Sequence, residues 1–168
     1  MILAIMILGM SVARFTQVHV ALSLLGIAAG FLVIFGMMAS KRLPRMTALF
    51  LITTVLTSVT GFLFPYHGVT PGIVLGVLSL AALLFALLAL YGGHLRGGWR
   101  GTWVVSATLA QFFNFFVLIV QSFEKVPALH ALAPTQKEMP LKVAQLVTLV
   151  VFVVLGVVAY RRFRPAGE

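Results

Sequence analysis

Five long apolar runs, at residues 18–40, 46–64, 72–91, 103–121 and 141–160, separated by short basic or turn-rich gaps, fill most of the 168-residue chain. About 20 apolar residues are what a helix needs to cross a hydrocarbon core ~30 Å thick. Lys142, at the edge of the fifth run, is the one Asp, Glu, Lys or Arg in any of them. With 61% hydrophobic and 9% charged residues, a chain of this size lacks the polar surface to stay dispersed in water. In hydrocarbon every backbone donor and acceptor must be satisfied within its own segment, and the alternating pattern of barrel strands is absent. The expected fold is therefore all-α, an integral membrane bundle of five transmembrane helices.

The fixed cations orient such a bundle, because cytoplasmic loops are enriched in Lys and Arg. With alternating spans, Lys41, Arg42, Arg45, Arg96, Arg100, Arg161, Arg162 and Arg164 share one side. Arg14, Lys125, Lys137 and Lys142 fall on the other, with Glu124 and Glu138 beside them. The amino end is expected outside, and the carboxyl end, a basic tail at 161–168, in the cytoplasm. The expected location is the bacterial inner membrane. A net charge of +9 is met by this topology and by anionic headgroups. Nucleic acid is not an expected partner, since no loop is long enough to fold a basic domain. Zero cysteines exclude disulfides and thiolate chemistry.

Residues 1–17 form an apolar extension too short to span, with Arg14 near its end. They read as a retained extension or interfacial segment near the outer surface, although Met10 could be a natural start. Pro44, the Pro65-Tyr66-His67-Gly68 stretch and Pro71 break the chain between helices and require a tight hairpin between spans two and three. Trp99 and Trp103 are expected at headgroup depth as aromatic anchors.

Within the spans, Gly26 and Gly30, and Gly72 and Gly76, have the four-residue spacing that lets helix backbones approach, inside the bundle or between protomers. Span two carries Thr53, Thr54, Thr57, Ser58 and Thr60. Such hydroxyls bond to their own helix and act as interhelical glue more readily than they line a solvated path. Gln111, Asn114 and Gln121 share one face of span four. Carboxamides cannot satisfy themselves, so that face should look inward, with Asn114 meeting a span-two Thr or Gln145. Phe112, Phe113, Phe115 and Phe116 around it could wall a flat ligand such as a quinone or a porphyrin edge.

His19, His67 and His130 are expected on the outer side, and imidazole ligates haem iron, copper and zinc. They are the candidate metal ligands, and with Gln111 and Asn114 the candidate cofactor-binding residues, for haem b or quinone near the outer face. No pair has the i, i+4 spacing of a helical metal clamp, so an interfacial or loop-capping role competes with ligation.

The stretch Thr53-Thr54 through Thr60-Gly61-Phe62, then Pro65 and His67-Gly68, together with Pro127-Ala128-Leu129 and Ala133-Pro134-Thr135, resembles an uncharacterised group of small multi-pass bacterial inner-membrane proteins. The resemblance runs from residue 18 to the carboxyl end; the segment before Gln17 departs from that group's usual start. It implies the membrane architecture and brings no assigned activity.

Enzymatic chemistry is poorly supplied. Asp is absent and the three Glu lie outside the spans, which removes an intramembrane carboxylate relay; there is no nucleophile elbow or phosphate loop. Two functions fit the sequence. One is a non-enzymatic accessory or self-assembling subunit, a homo-oligomer or part of a larger membrane complex in contact with lipid. The alternative is a redox-associated protein binding haem or quinone.

Overall fold

The computed structural model describes residues 6–65, 68 and 70–164. A minimal antiparallel ladder opens it: β1 (Met6–Ile7) pairs with β2 (Met10–Ser11), Met6 against Ser11 and Ile7 against Met10. The two-residue turn between them holds Leu8 and Gly9 at φ 51° and 76°, the positive values that match the strand twist. Ser11 then caps helix α1 (Val12–Met38), its Oγ accepting from the Arg14 amide at 3.5 Å. The extension expected over 1–17 is thus, where described, a hairpin followed by the first turns of α1.

The other helices are α2 (Pro44–Gly61), α3 (Pro71–Leu87), α4 (Gly98–Lys125), the single turn α5 (Pro127–His130) and α6 (Met139–Arg162). Proline stands in the first turn of α2, α3, α5 and α6, where its missing N–H has no helical partner to lose. A π-helical turn, Leu88–Gly92, continues α3. Among the described residues, four helices are long and apolar enough to cross a membrane: α1, α3 with its π turn, α4 and α6. The fifth, α2, has 18 residues, ~27 Å at 1.5 Å per residue. It is the more polar one, with Arg45 in its first turn and six Thr or Ser after it.

Cross-helix contacts fix the directions. His19 meets Thr60 and Ser23 meets Thr57, so α1 and α2 are antiparallel. Ser58 meets Ser79, and Gly76 lies under the Phe62 ring, so α2 and α3 are antiparallel too. Gly26 faces Asn114 and Gly30 faces Gln111 between α1 and α4, while Gly101 faces Tyr160 and Gly156 faces Thr108 between α4 and α6. The five long helices alternate. They close a ring in the order α1, α2, α3, α4, α6, with α4 also crossing to touch α1.

The core runs along α4. Ala82 and Ala86 of α3 and Ala89 of the π turn cluster with Val104, Ala107 and Ala110 of α4, all buried, and with Phe50, Ile34 and Phe152. Small residues allow this approach where lipid, as apolar as Leu, supplies no hydrophobic drive. The outward faces stay apolar: Val143, Leu146, Val147, Val150 and Val154 of α6 are all at least half exposed.

The alternation gathers the eight cations from Lys41 to Arg164 at one end of the bundle. There α1 closes in a Schellman motif: the Lys41 amide donates to the Gly36 carbonyl at 2.8 Å and the Ser40 amide to Met37 at 3.0 Å, with Ser40 at φ 55°. Arg100 donates to the Tyr160 and Phe163 carbonyls at 3.0 and 2.7 Å and lies 5.4 Å over the Tyr160 ring. It thereby satisfies carbonyls that the end of α6 leaves open. Trp99 sits exposed over Gly93, but Trp103, expected as a headgroup anchor, is 2% exposed and turned into the core.

Candidate functional site

A polar seam runs between α1 and α2 and ends on α4. Residues 19, 23, 26 and 30 of α1, at spacings of four and three, lie on one face of that helix. At the outermost step the His19 Nδ1 and Thr60 Oγ1 stand 2.8 Å apart. The Thr60 hydroxyl also lies 2.6 Å from the Leu56 carbonyl and 3.2 Å from that of Thr57. With its single proton on either carbonyl, Thr60 accepts from His19 Nδ1–H, and that tautomer leaves the lone pair on Nε2. The ring packs edge-on against Phe64, centroids 5.2 Å apart, and its Cε1 lies over Gly61. One turn further in, Ser23 donates to the His19 carbonyl at 2.9 Å and reaches Thr57 Oγ1 at 3.5 Å.

At the next step the missing side chain of Gly26 leaves a notch. A Cβ there would stand 3.0 Å from Thr53 Oγ1, 3.1 Å from Thr54 Oγ1 and 3.3 Å from Asn114 Nδ2. Thr53 spends its proton on the Leu49 carbonyl at 2.6 Å. Beyond it, the Gln111 carboxamide lies against Gly30 and its Nε2 donates to the Ile27 carbonyl at 2.8 Å. Among the described residues, Thr54 Oγ1, Gln111 Oε1 and Asn114 Nδ2 of the seam are buried without a hydrogen-bond partner. Unused donors and acceptors in a low-dielectric interior cost several kcal/mol each, so the seam's own side chains leave part of its hydrogen-bonding capacity unused.

Of the residues singled out from sequence, Gln111 and Asn114 come together at the inner part of the seam and His19 marks its outer end. Asn114 faces the span-two threonines Thr53 and Thr54, across Gly26. Gln121 departs from the inward face expected for it; it is exposed and donates to Glu124 at 3.4 Å, because α4 runs on to Lys125 and carries it out of the bundle. His130 lies exposed on α5, and His67 lies outside the described residues. Among the described residues, no three His, Asp or Glu gather closely enough to hold a metal. The phenylalanines of α4 pack on one another and across the bundle. Phe112 and Phe115 each stand 5.7 Å from Phe152, and Phe115 5.5 Å from Phe31.

The role of Thr54, and the closeness of Gln111 to Gly30, were not singled out from sequence. The signal was there in complementary form: small residues at 26 and 30 on one helix, carboxamides at 111 and 114 on another.

No family model matches this chain, and no curated protein or solved structure does either. The fold and the seam define the class: an all-α helical bundle, with four helices among the described residues able to cross a membrane and with Thr53, Thr54, Gln111 and Asn114 buried in its interior.

Proposed function

We propose that the chain is a multi-pass protein of the bacterial inner membrane with five spans, amino end outside and carboxyl end cytoplasmic. Its work is that of a non-enzymatic accessory subunit, assembling with copies of itself or with a larger membrane complex. One observation supports this above others. The seam's hydrogen bonds, from His19 with Thr60 to Gln111 with the Ile27 carbonyl, join helices of a single chain. A protein so built presents little but apolar flank to its neighbours.

For the fifth span, the support is that α2 lies antiparallel along α1 from Leu43, packed on Gly36, to Thr60, bonded to His19. Orientation rests on the gathering of eight cations at one end. The resemblance to small bacterial inner-membrane proteins points the same way.

Gly26 and Gly30 are occupied by contacts within one chain, so assembly has to use the outward faces instead. The test is the mass of the protein in mild detergent and in lipid nanodiscs, with co-isolated subunits identified from native membranes. A monomer with nothing attached in both would overturn the accessory role. The absence of cysteine makes topology directly measurable: Ser40→Cys should react only with a permeant thiol reagent in intact cells, and an introduced cysteine at Thr135 with an impermeant one.

The redox reading, haem b or quinone near the outer face, draws on the tautomer of His19. Its Nδ1–H is held by Thr60, and Nε2 is left in the form that ligates a metal. His67 and His130 are the further ligands it would use, with Gln111 and Asn114 toward a quinone. An absorption spectrum of the purified protein, oxidised and then dithionite-reduced, decides the haem form of it. A Soret band lost in His19→Ala would support it; a featureless spectrum would remove it.

A further inference from the structure

At the basic end of the bundle a cleft of 210 Å³ opens between the close of α1, the start of α2, the π turn and the residues after α6. Its lining changes character with depth. Trp103, Leu95 and Phe163 are each 2% exposed and form an apolar floor with Met37, whereas Tyr91, 60% exposed, and the exposed Arg42 stand at the mouth. We propose that this cleft binds an anionic phospholipid, its phosphate on Arg42 and the first part of an acyl chain over Met37 and Trp103.

Three observations converge on it. The surrounding backbone is held in costly conformations: the π turn Leu88–Gly92, then Ser40, His94 and Leu95 at φ 55°, 48° and 62°. Such geometry persists only where the neighbouring structure over-determines it, and it recurs at binding sites. The chain beyond α6 is drawn back to complete the wall, with Arg100 holding the Phe163 carbonyl at 2.7 Å and Ser40 Oγ accepting from the Arg164 amide at 2.8 Å. Phe163 is the one apolar residue in the run 161–164, and it is the one turned inward.

The charge is complementary as well. Eight cations gather at this end, while Glu124 and Glu138 lie at the other. A soluble anion would leave the apolar floor unused. A zwitterionic lipid would bring its own cation to Arg42. An anionic phospholipid at the membrane surface matches both parts of the lining.

The chain has two tryptophans, so Trp99→Phe leaves Trp103 as the sole reporter on the floor. In neutral detergent, phosphatidylglycerol with brominated acyl chains should quench Trp103 at about tenfold lower mole fraction than brominated phosphatidylcholine, the difference one charge-assisted contact supplies. Arg42→Gln should erase that preference, and Arg42→Lys, which keeps the charge, should retain most of it. Arg162→Gln removes an equal charge outside the cleft and should leave the preference within about twofold. Equal quenching by the two lipids would overturn the proposal. So would equal losses in Arg42→Gln and Arg162→Gln, which would mean a diffuse basic surface.

Discussion

The carboxamide of Gln111 occupies the space that a side chain on Gly30 would need, while its Nε2 holds the Ile27 carbonyl at 2.8 Å. Nothing at that contact can give way cheaply, because the group in the way is itself tied to the backbone it crowds. Ordinarily Gly→Ala inside a helix gains up to ~1 kcal/mol. At Gly30 we expect the opposite, a loss of about 2 kcal/mol or more, from overpacking and from a displaced, unpaired amide. Gly26→Ala meets Thr53, Thr54 and Asn114 at 3.0–3.3 Å, a conflict that shifts of a few tenths of an ångström relieve, and should be near neutral. Unfolding of both variants in mild detergent tests the contrast. In the double variant Gly30→Ala with Gln111→Ala, part of the loss should return, since the coupling lies between those two residues.

The outer end of the seam makes a separate prediction. Thr60→Val keeps the shape of the side chain and removes the acceptor of His19 Nδ1–H, 2.8 Å away. A half-buried donor left unpaired costs about 1–3 kcal/mol, and Thr60→Ser should restore most of it. If Thr60→Val melts with the parent protein, the bond contributes nothing and the tautomer assigned to His19 loses its support.

Much of the fold was legible because a bilayer leaves few choices. Apolar length announced the runs at 18–40, 72–91, 103–121 and 141–160, and prolines marked breaks between helices, although Pro44 and Pro71 stand inside the first turns of α2 and α3 and not in the gaps before them. Helix ends were less legible: α1 begins at Val12 and α4 runs from Gly98 to Lys125, since a helix held by tertiary contacts continues past the point where its sequence stops being apolar. The site divided in the same way. That Asn114 and Gln111 face inward follows from the cost of burying an amide in lipid, and periodicity showed it. That Gln121 does not, or that Phe163 turns back into the bundle, depends on where the helices end and what lies beside them. Trp103 departs from the interface for a related reason: aromatic residues near a span end favour it on average, but here Met37, Leu95 and Phe163 supply an apolar place beside the ring.

Ser40 sits at the left-handed position of the motif that ends α1, with φ 55°, and its hydroxyl accepts from the Arg164 amide at 2.8 Å. Substitution separates the two roles. Ser40→Ala loses the hydrogen bond and keeps the backbone cost; Ser40→Gly loses the bond and relieves it. Ser40→Gly should therefore be more stable than Ser40→Ala by about 1 kcal/mol, read as the difference between their melting curves. Equal stabilities would show that the turn is not strained.

Glu138 carries the one pH dependence that the loop before α6 sets by itself. Its carboxylate accepts from the Thr135 hydroxyl at 2.7 Å and amide at 3.1 Å, and from the Lys137 amide at 2.9 Å. These bonds, the Thr135 hydroxyl foremost, lower its pKa from 4.5 to about 2. A carboxyl with a depressed pKa binds its proton more readily when the loop is disordered. Its contribution is therefore fully present above about pH 4.5 and is lost as pH falls toward 2. The carboxyl is at the surface, so the effect should be local: protection of the Thr135 and Lys137 amides, measured relative to their unstructured exchange rates, should fall across that window while the spans stay protected. Glu138→Gln cannot titrate, so the same amides should be less protected than in the parent at neutral pH and lose no further protection in acid. If the parent protein also keeps its protection in acid, the turn before α6 is held by something other than this carboxylate.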